Sequence, residues 1–434
     1  MHRLRSISGR KAFLKDHRFW LIILTIGIAL MKLAIIPNPW PELPPSKCME
    51  SPLETGCALI FDEAHYIPAV RKMLKGLAVN NEHPPLSKAL MILGILIFGD
   101  NPYGWRTLIT LSGALSIYLL GEIAYQLTGS KKLSLLAASF FAFDISSFNL
   151  SSIAMLDAPA LMFSLLSALL FLRRRWILSG LVMGLALLSK TSSLFILAAL
   201  LIYKLFERAY HVDRIDDALR KWVFIFERVA FAALAVMLAG LAIYDYSLNA
   251  YDTPFEHLDY ILNYHSSLTF KEGDIVYMPL TWTNPFDQFP RMPYYAVSIE
   301  VDGKKYHTIA YFGLQTPLWW MTWLVIGYQL YTAYLDLRDK RFPSFELFTL
   351  TWIAANYLIY FPLAHIVRRW VYPFYFYMTV PVIALAFPRI LEGERISELM
   401  LYIMLGAQVL WFIIWFPVKP QWLIDFLLTL NLAI

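Results

Sequence analysis

One stretch is the densest polar part of a strongly apolar chain: Phe61-Asp62-Glu63-Ala64-His65-Tyr66, continued by Glu82-His83-Pro84-Pro85-Leu86-Ser87-Lys88. It follows directly on the first long apolar run. Ionisable groups near the hydrocarbon region of a bilayer are costly to keep and are therefore candidates for function. Two adjacent acids, two histidines and a lysine beside a first membrane helix indicate chemistry at a membrane surface.

The composition indicates a protein that lies largely within a bilayer. Apolar residues make up 58% of the 434 residues, charged residues 16%, and the mean hydropathy is +0.53. A soluble domain carries about 25% charged residues. Apolar runs near the roughly 20 residues of a spanning helix recur from residue 19 to the C-terminus. The sequence has no long basic run and no basic-aromatic strip, so it does not indicate a nucleic-acid-binding protein.

The N-terminal residues 1–36 have the outline of a signal peptide. Their apolar run over 19–36 is too long for a signal core, and no small-x-small cleavage site follows it. The sequence therefore predicts an uncleaved first transmembrane helix with its N-terminus inside.

The placement of lysine and arginine predicts the rest of the topology, because these residues favour the inner side. Whether the short apolar run Leu86–Phe98 crosses the bilayer or lies in its interface stays open. The predicted fold is an all-α integral membrane bundle of about eleven spans, N-terminus in and C-terminus out. The further spans are expected at 103–127, 133–148, 156–172, 176–188, 192–206, 223–244, 317–335, 345–361, 371–387 and 399–416.

We expect one membrane-embedded domain over residues 1–434. A catalytic external loop covers 37–102 and carries an interfacial amphipathic helix near 61–77. A charged cytoplasmic loop covers 207–221, and a second external loop covers 245–316. If the first loop is outside, a disulfide between Cys48 and Cys57 is plausible; two free cysteines are the alternative, and the sequence does not decide between them.

Several cations remain at the predicted outer face, and together they suggest one anionic ligand, for which a lipid phosphate is the simplest choice. Snorkelling to lipid headgroups explains any one of them equally well. The candidates for phosphate binding are Lys88, Arg106, Lys190, Arg368 and Arg369. The other outer cations are Arg71, Lys72, Lys75, Arg291, Lys304, Lys305 and Lys419.

The acidic pair Asp62 and Glu63 is the candidate catalytic group. A carboxylate held near the membrane loses solvation and becomes a stronger base, although an acidic pair in a loop is often only a solvated surface feature. Two prolines present His83 and Lys88 at a fixed place, but proline also marks a helix start. No glycine-rich phosphate loop and no zinc-type spacing occurs in the sequence, so it suggests neither cofactor nor metal.

The acidic pair followed by His-Pro-Pro-Leu-x-Lys resembles the protein O-mannosyltransferases, integral membrane enzymes that use dolichyl-phosphate mannose. The resemblance continues along nearly the whole chain. The further matching motifs are Asn101-Pro102-Tyr103-Gly104-Trp105-Arg106, Met155-Leu156-Asp157, the glycine-rich run from Gly180 to Lys190, Met278-Pro279-Leu280 with Pro293-Tyr294-Tyr295, Tyr311-Phe312-Gly313 to Trp319-Trp320, and Arg368-Arg369.

The resemblance implies the multi-helix GT-C architecture and a sugar donor carried on polyprenyl or dolichyl phosphate. It implies mannose as the sugar and protein Ser/Thr as the acceptor. The chain departs from the family at 151–154, where an arginine is absent, and it has no β-trefoil insert in the second loop. This favours a prokaryotic, archaeal plasma membrane with the site on the outer face, or an ER membrane with a lumenal site if the source is eukaryotic.

The resemblance also suggests roles. Asp62 would take the proton of the acceptor hydroxyl, and Glu63 would orient either the acceptor or the base. A single base implies single displacement with inversion. His65, His83 and Asp157 would support them; a helix-packing role for Asp157 is the alternative. The oligomeric state and any metal requirement stay open.

Two other functions remain. The acceptor could be a lipid or a glycan, as in the aminoarabinose transferases of the same architecture. A non-enzymatic transporter of lipid phosphate would place polar residues through the midplane of several helices, whereas here they collect at one face.

Overall fold

The computed structural model describes residues 16–50, 54–212, 214–272, 274, 276–286, 292–301, 304–392 and 395–429. These residues form a helical bundle with one two-stranded hairpin. The helices before the hairpin are α1 (His17–Ile35), α2 (Glu63–Met73), α3 (Leu86–Phe98), α4 (Pro102–Thr128), α5 (Lys131–Ala142), α6 (Ile145–Leu150), α7 (Asp157–Leu172), α8 (Trp176–Ser189), α9 (Ser193–Tyr210), α10 (Ile215–Leu248) and α11 (Pro254–Ser267).

The hairpin consists of β1 (Met292–Val301) and β2 (Lys304–Gly313). The helices that follow it are α12 (Pro317–Trp320), α13 (Thr322–Arg338), α14 (Ser344–Ile353), α15 (Tyr360–His365), α16 (Val380–Ile390), α17 (Arg395–Ile414) and α18 (Gln421–Thr429). A π-helical segment, Ala354–Leu358, joins α14 to α15, and a 3₁₀ turn, Pro373–Met378, precedes α16.

Five helical segments of the described chain are long and apolar enough to cross a bilayer: α1, α4, α10, the continuous run Ser344–His365, and α17. Four shorter apolar helices accompany them, namely α3, α7, α8 and α16. The prediction of a mostly helical protein is confirmed. The number of spans and their direction stay predictions.

Some predicted runs are divided. The run over 133–148 becomes α5 and α6, because Asp144 turns the chain and its carboxylate accepts the Ser147 N–H at 2.8 Å to start a new helix. The expected loop over 207–221 is mostly helical, since α9 continues to Tyr210 and α10 begins at Ile215.

The all-α prediction is wrong in the second loop. There β1 pairs antiparallel with β2, with irregularities between Pro293 and Tyr295 and between Val297 and Ser298. The strands contain many β-branched and aromatic residues, which fit a pleated sheet. Helix α11 precedes them, and the Thr253 hydroxyl caps it by accepting the Glu256 N–H at 3.2 Å.

Small residues allow close helix packing around the site. Gly94 of α3 and Gly104 of α4 face each other, and a Cβ atom on Gly94 would collide with the Gly104 carbonyl oxygen. A Cβ atom on Gly180 or Gly184 of α8 would likewise collide with α10. Such contacts let helices approach closely where no hydrophobic effect drives their association.

Helices α1 and α4 run antiparallel, as their end contacts show. At one end the Arg18 guanidinium donates to Glu122 at 2.9 Å, and Arg173 donates to the same carboxylate at 2.9 Å. At the other end Arg106 donates to the Ile36 carbonyl at 2.7 Å. The bundle therefore has two chemically distinct ends, one of which carries the polar stretch.

Cys48 and Cys57 form a disulfide that closes the loop after α1, which decides the alternative that the sequence left open. The Cys48 carbonyl accepts a hydrogen bond of 2.9 Å from Arg71 of α2. The loop is thereby attached to the helix that begins at the acidic pair.

Candidate functional site

Glu63 and Arg106 form a buried, bidentate ion pair. Arg106 Nε and Nη2 each lie 2.7 Å from a Glu63 carboxylate oxygen, and both side chains are 0% exposed. The other Arg106 donors meet the carbonyls of Ile36 (2.7 Å), Ala58 (3.3 Å) and Asn38 (3.5 Å). A guanidinium has five N–H donors, and all five have acceptors here. This geometry does not support the prediction that Arg106 binds a donor phosphate.

The Glu63 carboxylate also accepts two backbone N–H groups, from Ile60 at 2.8 Å and from Ala154 at 2.7 Å. Charge-assisted bonds of this kind are among the strongest in proteins. Glu63 therefore joins the loop before α2, the start of α4 and the segment before α7. Both of its carboxylate oxygens are therefore engaged within the protein.

Asp62 is the neighbour of Glu63 in the chain, and its surroundings differ. It stands at the start of α2, half-buried, and its side chain does not cap the helix. Burial raises the pKa of Asp62, the nearby Asp157 raises it further, and Lys190 and His65 oppose this. Phe61 before it has a left-handed φ of 52°, a strained conformation of a kind that clusters at functional sites.

Asp157 and Lys190 form a second ion pair at 2.7 Å, with Asp157 1% and Lys190 12% exposed. Asp157 opens α7 and Lys190 closes α8, so two helix ends meet here. The Lys190 ammonium lies 5.3 Å from the Phe374 ring centre and 5.4 Å from that of Tyr375. The Phe374 ring also packs edge-on against Phe61 at 5.2 Å. These contacts bring Lys190 and Asp157 to the side of Asp62.

Lys88 is fully buried, and its ammonium donates to the carbonyls of Asn80 at 2.5 Å and His83 at 3.0 Å. It therefore holds the turn before α3. Two of its three ammonium donors are thus engaged inside the protein and its side chain has no exposed surface, so the geometry does not favour its predicted role in phosphate binding.

His83 lies in an aromatic and imidazole cluster. Its ring is 5.6 Å from the Tyr66 ring and 5.5 Å from the His265 ring. Burial lowers the pKa of His83, and the cations Lys190 and Lys88 lower it further. The imidazole is therefore neutral near pH 7.

His265 of α11 is a residue that the sequence analysis missed. Its Nε2 meets the Glu82 carbonyl at 3.0 Å and its Nδ1 meets an Arg369 nitrogen at 3.5 Å. A carbonyl only accepts and a guanidinium only donates, so the ring is neutral with its proton on Nε2. Burial, aided by Arg369, lowers the pKa of His265 to about 4. The only signal for His265 in the sequence was that it is a histidine in the second external loop, 245–316.

The two neighbouring arginines differ. Arg369 is half-buried beside His265, and it lies close enough to Tyr375 to act on its hydroxyl, as do Asp62 and Asp157. Arg368 is exposed and has a left-handed φ of 56°. Of the two, Arg369 is therefore the one that contacts the histidine cluster of His265 and His83.

The structure thus divides the predicted residues into two sets. Asp157, Lys190 and the exposed His65 lie near Asp62, and His83 lies near Lys190. Arg369 joins this group through His265. Glu63, Lys88 and Arg106, in contrast, have their partners inside the protein. The side chains of the predicted outer cations Arg291, Lys304 and Lys305 lie outside the described residues. Among the described residues, no three His, Cys, Asp or Glu side chains form a group that could hold a metal ion.

Comparison with known proteins points to one family. Residues 82–239 match the family model of dolichyl-phosphate-mannose–protein mannosyltransferase. The polyprenol-phosphate-mannose–protein mannosyltransferase of Corynebacterium glutamicum is 35% identical over 94 residues, 18% of each chain. The protein of that name from Mycolicibacterium smegmatis is 32% identical over 121 residues, 26% of this chain and 23% of the relative. The matched segments thus span about a fifth of the length of these curated relatives.

The fold extends over almost the whole chain. The Saccharomyces cerevisiae protein O-mannosyltransferase Pmt1-Pmt2 complex bound to the sugar donor is similar with a TM-score of 0.65, covering 92% of this chain and 90% of that one, at 12% identity. ArnT from Cupriavidus metallidurans bound to undecaprenyl phosphate is similar with a TM-score of 0.51, covering 88% of this chain and 62% of that one, at 15% identity. At such identities the likeness shows the fold alone.

The apolar helices and these membrane-embedded folds identify a multi-pass membrane protein. The family model, the named relatives and the shared fold confirm the resemblance to the protein O-mannosyltransferases, a family of GT-C architecture, that the sequence motifs indicated.

Proposed function

We propose that this protein transfers mannose from a polyprenyl or dolichyl phosphate donor to a hydroxyl group, that of a protein Ser or Thr. The observation that carries the proposal is Asp62: a half-buried carboxyl of raised pKa near Lys190, with Arg369 near the same Tyr375 ring. The family match and the names of the relatives supply the donor and the acceptor class.

The reaction follows from that arrangement. The acceptor hydroxyl oxygen attacks the anomeric carbon while its proton passes to Asp62. The bond between that carbon and the phosphate oxygen breaks, and its electron pair leaves with the polyprenyl phosphate, which gains one negative charge. The sugar carbon is oxocarbenium-like in the transition state. One base on the attacking face gives a single displacement with inversion.

The growing phosphate charge requires nearby donors. We assign this role to Lys190 and Arg369. Lys190 uses one of its three ammonium donors on Asp157, which leaves two for phosphate oxygens. The neutral rings of His83 and His265 lie beside these cations and add no charge at neutral pH. Arg368 is exposed, which suits contact with the outer part of the headgroup.

Glu63, Arg106 and Lys88 then act by positioning. The Glu63–Arg106 pair fixes the residue next to Asp62, and Lys88 fixes the turn that carries His83. His65, exposed one turn into α2, lowers the pKa of Asp62 and so limits the effect of burial.

The remaining part of the proposal is the orientation in the membrane. The basic residues Arg18 and Arg173 gather at the end of α4 opposite Arg106, and the positive-inside rule places that end in the cytoplasm. The site then lies on the outer face, in the external loop over 37–102, of a bundle of about eleven spans with its N-terminus in and its C-terminus out. The apolar grooves between helices take the isoprenoid tail, and a prokaryotic plasma membrane is the expected location.

The proposal is tested with purified protein in lipid, polyprenyl-phosphate mannose labelled in the sugar, and a Ser/Thr-rich peptide. Labelled peptide is the expected product. Label that moves only to a lipid or glycan acceptor would contradict the protein acceptor and keep the reaction class. Bound donor without transfer to any acceptor would favour a lipid-phosphate transporter and contradict the enzyme.

A further inference from the structure

A lysine lies buried within the first membrane helix. Lys32 is 2% exposed near the C-terminal end of α1, while its neighbours Leu30 and Met31 are 61% and 37% exposed. No ion pair of the described residues includes Lys32. An ionisable side chain at such a depth is costly and faces the bundle interior only where it has partners.

The partners of Lys32 all belong to the segment before α7. Its Nζ lies 2.8 Å from the Phe148 carbonyl oxygen, 2.6 Å from Ser151 Oγ and 3.2 Å from Ser152 Oγ. It also lies 4.4 Å from the centre of the Phe148 ring, within the range of a cation–π contact.

The hydrogen-bond directions fit an ammonium group. Ser151 donates its own hydroxyl proton to the Ser147 carbonyl at 2.5 Å, and Ser152 donates its proton to the Phe148 carbonyl at 2.6 Å. Both hydroxyls can therefore only accept from Lys32, as the Phe148 carbonyl does. Three acceptors match the three donors of an ammonium group, whereas a neutral amine has only two N–H donors.

The segment that Lys32 holds connects directly to the candidate site. Its Ala154 N–H donates to Glu63 at 2.7 Å, and Asp157, three residues later, pairs with Lys190. One turn beyond Lys32 on α1, the Ile36 carbonyl accepts from Arg106. The end of α1 thus reaches two of the three partners of Glu63: Arg106 directly, and Ala154 through the segment that Lys32 holds.

We infer that Lys32 is a positioning residue: its buried ammonium fixes segment 148–157 and so sets the places of Glu63 and Asp157 on either side of Asp62. This inference rests on the proposed transfer reaction. It goes beyond it by assigning a role in the chemistry to a charge inside the first membrane helix.

The test compares Lys32→Met with Arg18→Met in the full-length protein. Arg18 is a cation at the other end of the same helix, where it joins α1 to α4, so it is a control for the loss of a positive charge from α1. For Lys32→Met we expect kcat to fall at least tenfold with the KM for the donor within threefold. Lys32→Arg keeps the charge and recovers part of kcat. Arg18→Met keeps kcat and KM within twofold.

A second measurement does not depend on activity. Amide hydrogen exchange of the peptide covering 148–156 becomes at least tenfold faster in Lys32→Met and stays unchanged in Arg18→Met. If Lys32→Met does not fold, the double variant Ser151→Ala/Ser152→Ala removes two of the three acceptors and must show the same two effects.

The outcomes are separable. A wild-type protein without transfer activity would contradict the proposed function, and the exchange measurement would still decide on Lys32. Unchanged exchange over 148–156, or a kcat within twofold of wild type in a folded Lys32→Met or double-serine protein, would overturn the inference.

Discussion

Arg106 and Glu63 meet through two hydrogen bonds of 2.7 Å, and neither side chain has any exposed surface. Glu63 directly follows Asp62 in the chain. A buried pair contributes little net stability, but breaking it is expensive because the remaining charge has no solvent. The position of the candidate base therefore depends on an ion pair that is invisible from the surface.

Removal of one partner is expected to destabilise the protein strongly. Arg106→Met should lower the free energy of unfolding by about 3–5 kcal/mol, because it leaves a buried carboxylate unpaired. The double variant Glu63→Leu/Arg106→Met should be more stable than Arg106→Met alone. Thermal unfolding in detergent measures both. If Arg106→Met instead kept wild-type stability and lost only affinity for the donor, the result would support the predicted role of Arg106 in phosphate binding.

The adjacent arginines allow a matched comparison. Arg369→Gln should raise the KM for the donor about tenfold or more, since a hydrogen bond to a charged group is worth roughly 1.5–3 kcal/mol and about 1.4 kcal/mol is tenfold. Arg368→Gln, at an exposed position, should change it less than threefold. Steady-state kinetics with varied donor distinguishes the two. Equal effects, or a larger one at Arg368, would reverse the assignment.

The raised pKa of Asp62 predicts the pH dependence. The base must be ionised to accept a proton, so kcat/KM for the donor should fall as the pH is lowered. Because burial raises the pKa of Asp62, the midpoint of this fall should lie above the usual pKa of an aspartate. A pH–rate profile at saturating acceptor measures it. An acid limb at or below the ordinary aspartate value would exclude Asp62 as a desolvated base.

The same shift has a consequence for stability. A carboxyl whose folded-state pKa is raised binds its proton more tightly when folded, so its ionised form costs stability above that pKa and the cost disappears as the pH falls through it. Asp62→Asn should therefore unfold at a higher temperature than wild type at neutral pH, and the difference should shrink on acidification. Thermal unfolding at several pH values measures this; a less stable Asn variant at neutral pH would show that the ionised Asp62 is favourably paired instead.

The disulfide can be tested separately. Cys48 and Cys57 are nine positions apart, and closing a loop of about ten residues is worth roughly 2–3 kcal/mol in the chain-entropy model. Cys48→Ser/Cys57→Ser should lose about that much stability and keep kcat within twofold in the folded protein. A loss of kcat without a loss of stability would show that the loop contributes to the chemistry.

Much of the fold follows from periodicity and charge. The short apolar run Leu86–Phe98 is a helix with those bounds, and the bounds of α7 and α8 lie within one residue of the predicted ones, because long apolar segments in a bilayer must satisfy their backbone groups as helices. The hairpin over 292–313 was missed, since its strands lie in a polar loop where apolar content is no guide. The break at Asp144 depends on one side-chain cap, which the apolar pattern does not reveal.

The site was predictable in its residue types and less so in their roles. The motifs identified Asp62, Asp157 and Lys190, which do lie beside one another. Sequence alone does not show that Arg106 and Lys88 are buried and bonded to backbone carbonyls, because the carbonyls of Ile36, Asn80 and His83 come close to them only in the fold. His265 and Lys32 were missed for the same reason: each is a single residue whose partners are far away in sequence.

The most direct test of the central claim compares wild type with Asp62→Asn in the mannose-transfer assay, with donor binding measured on both proteins. General-base catalysis contributes typically 10²–10⁴-fold. If Asp62 is the base, Asp62→Asn loses at least a hundredfold in kcat while its affinity for polyprenyl-phosphate mannose stays within threefold. An Asp62→Asn protein that transfers mannose at near the wild-type rate would contradict this role of Asp62.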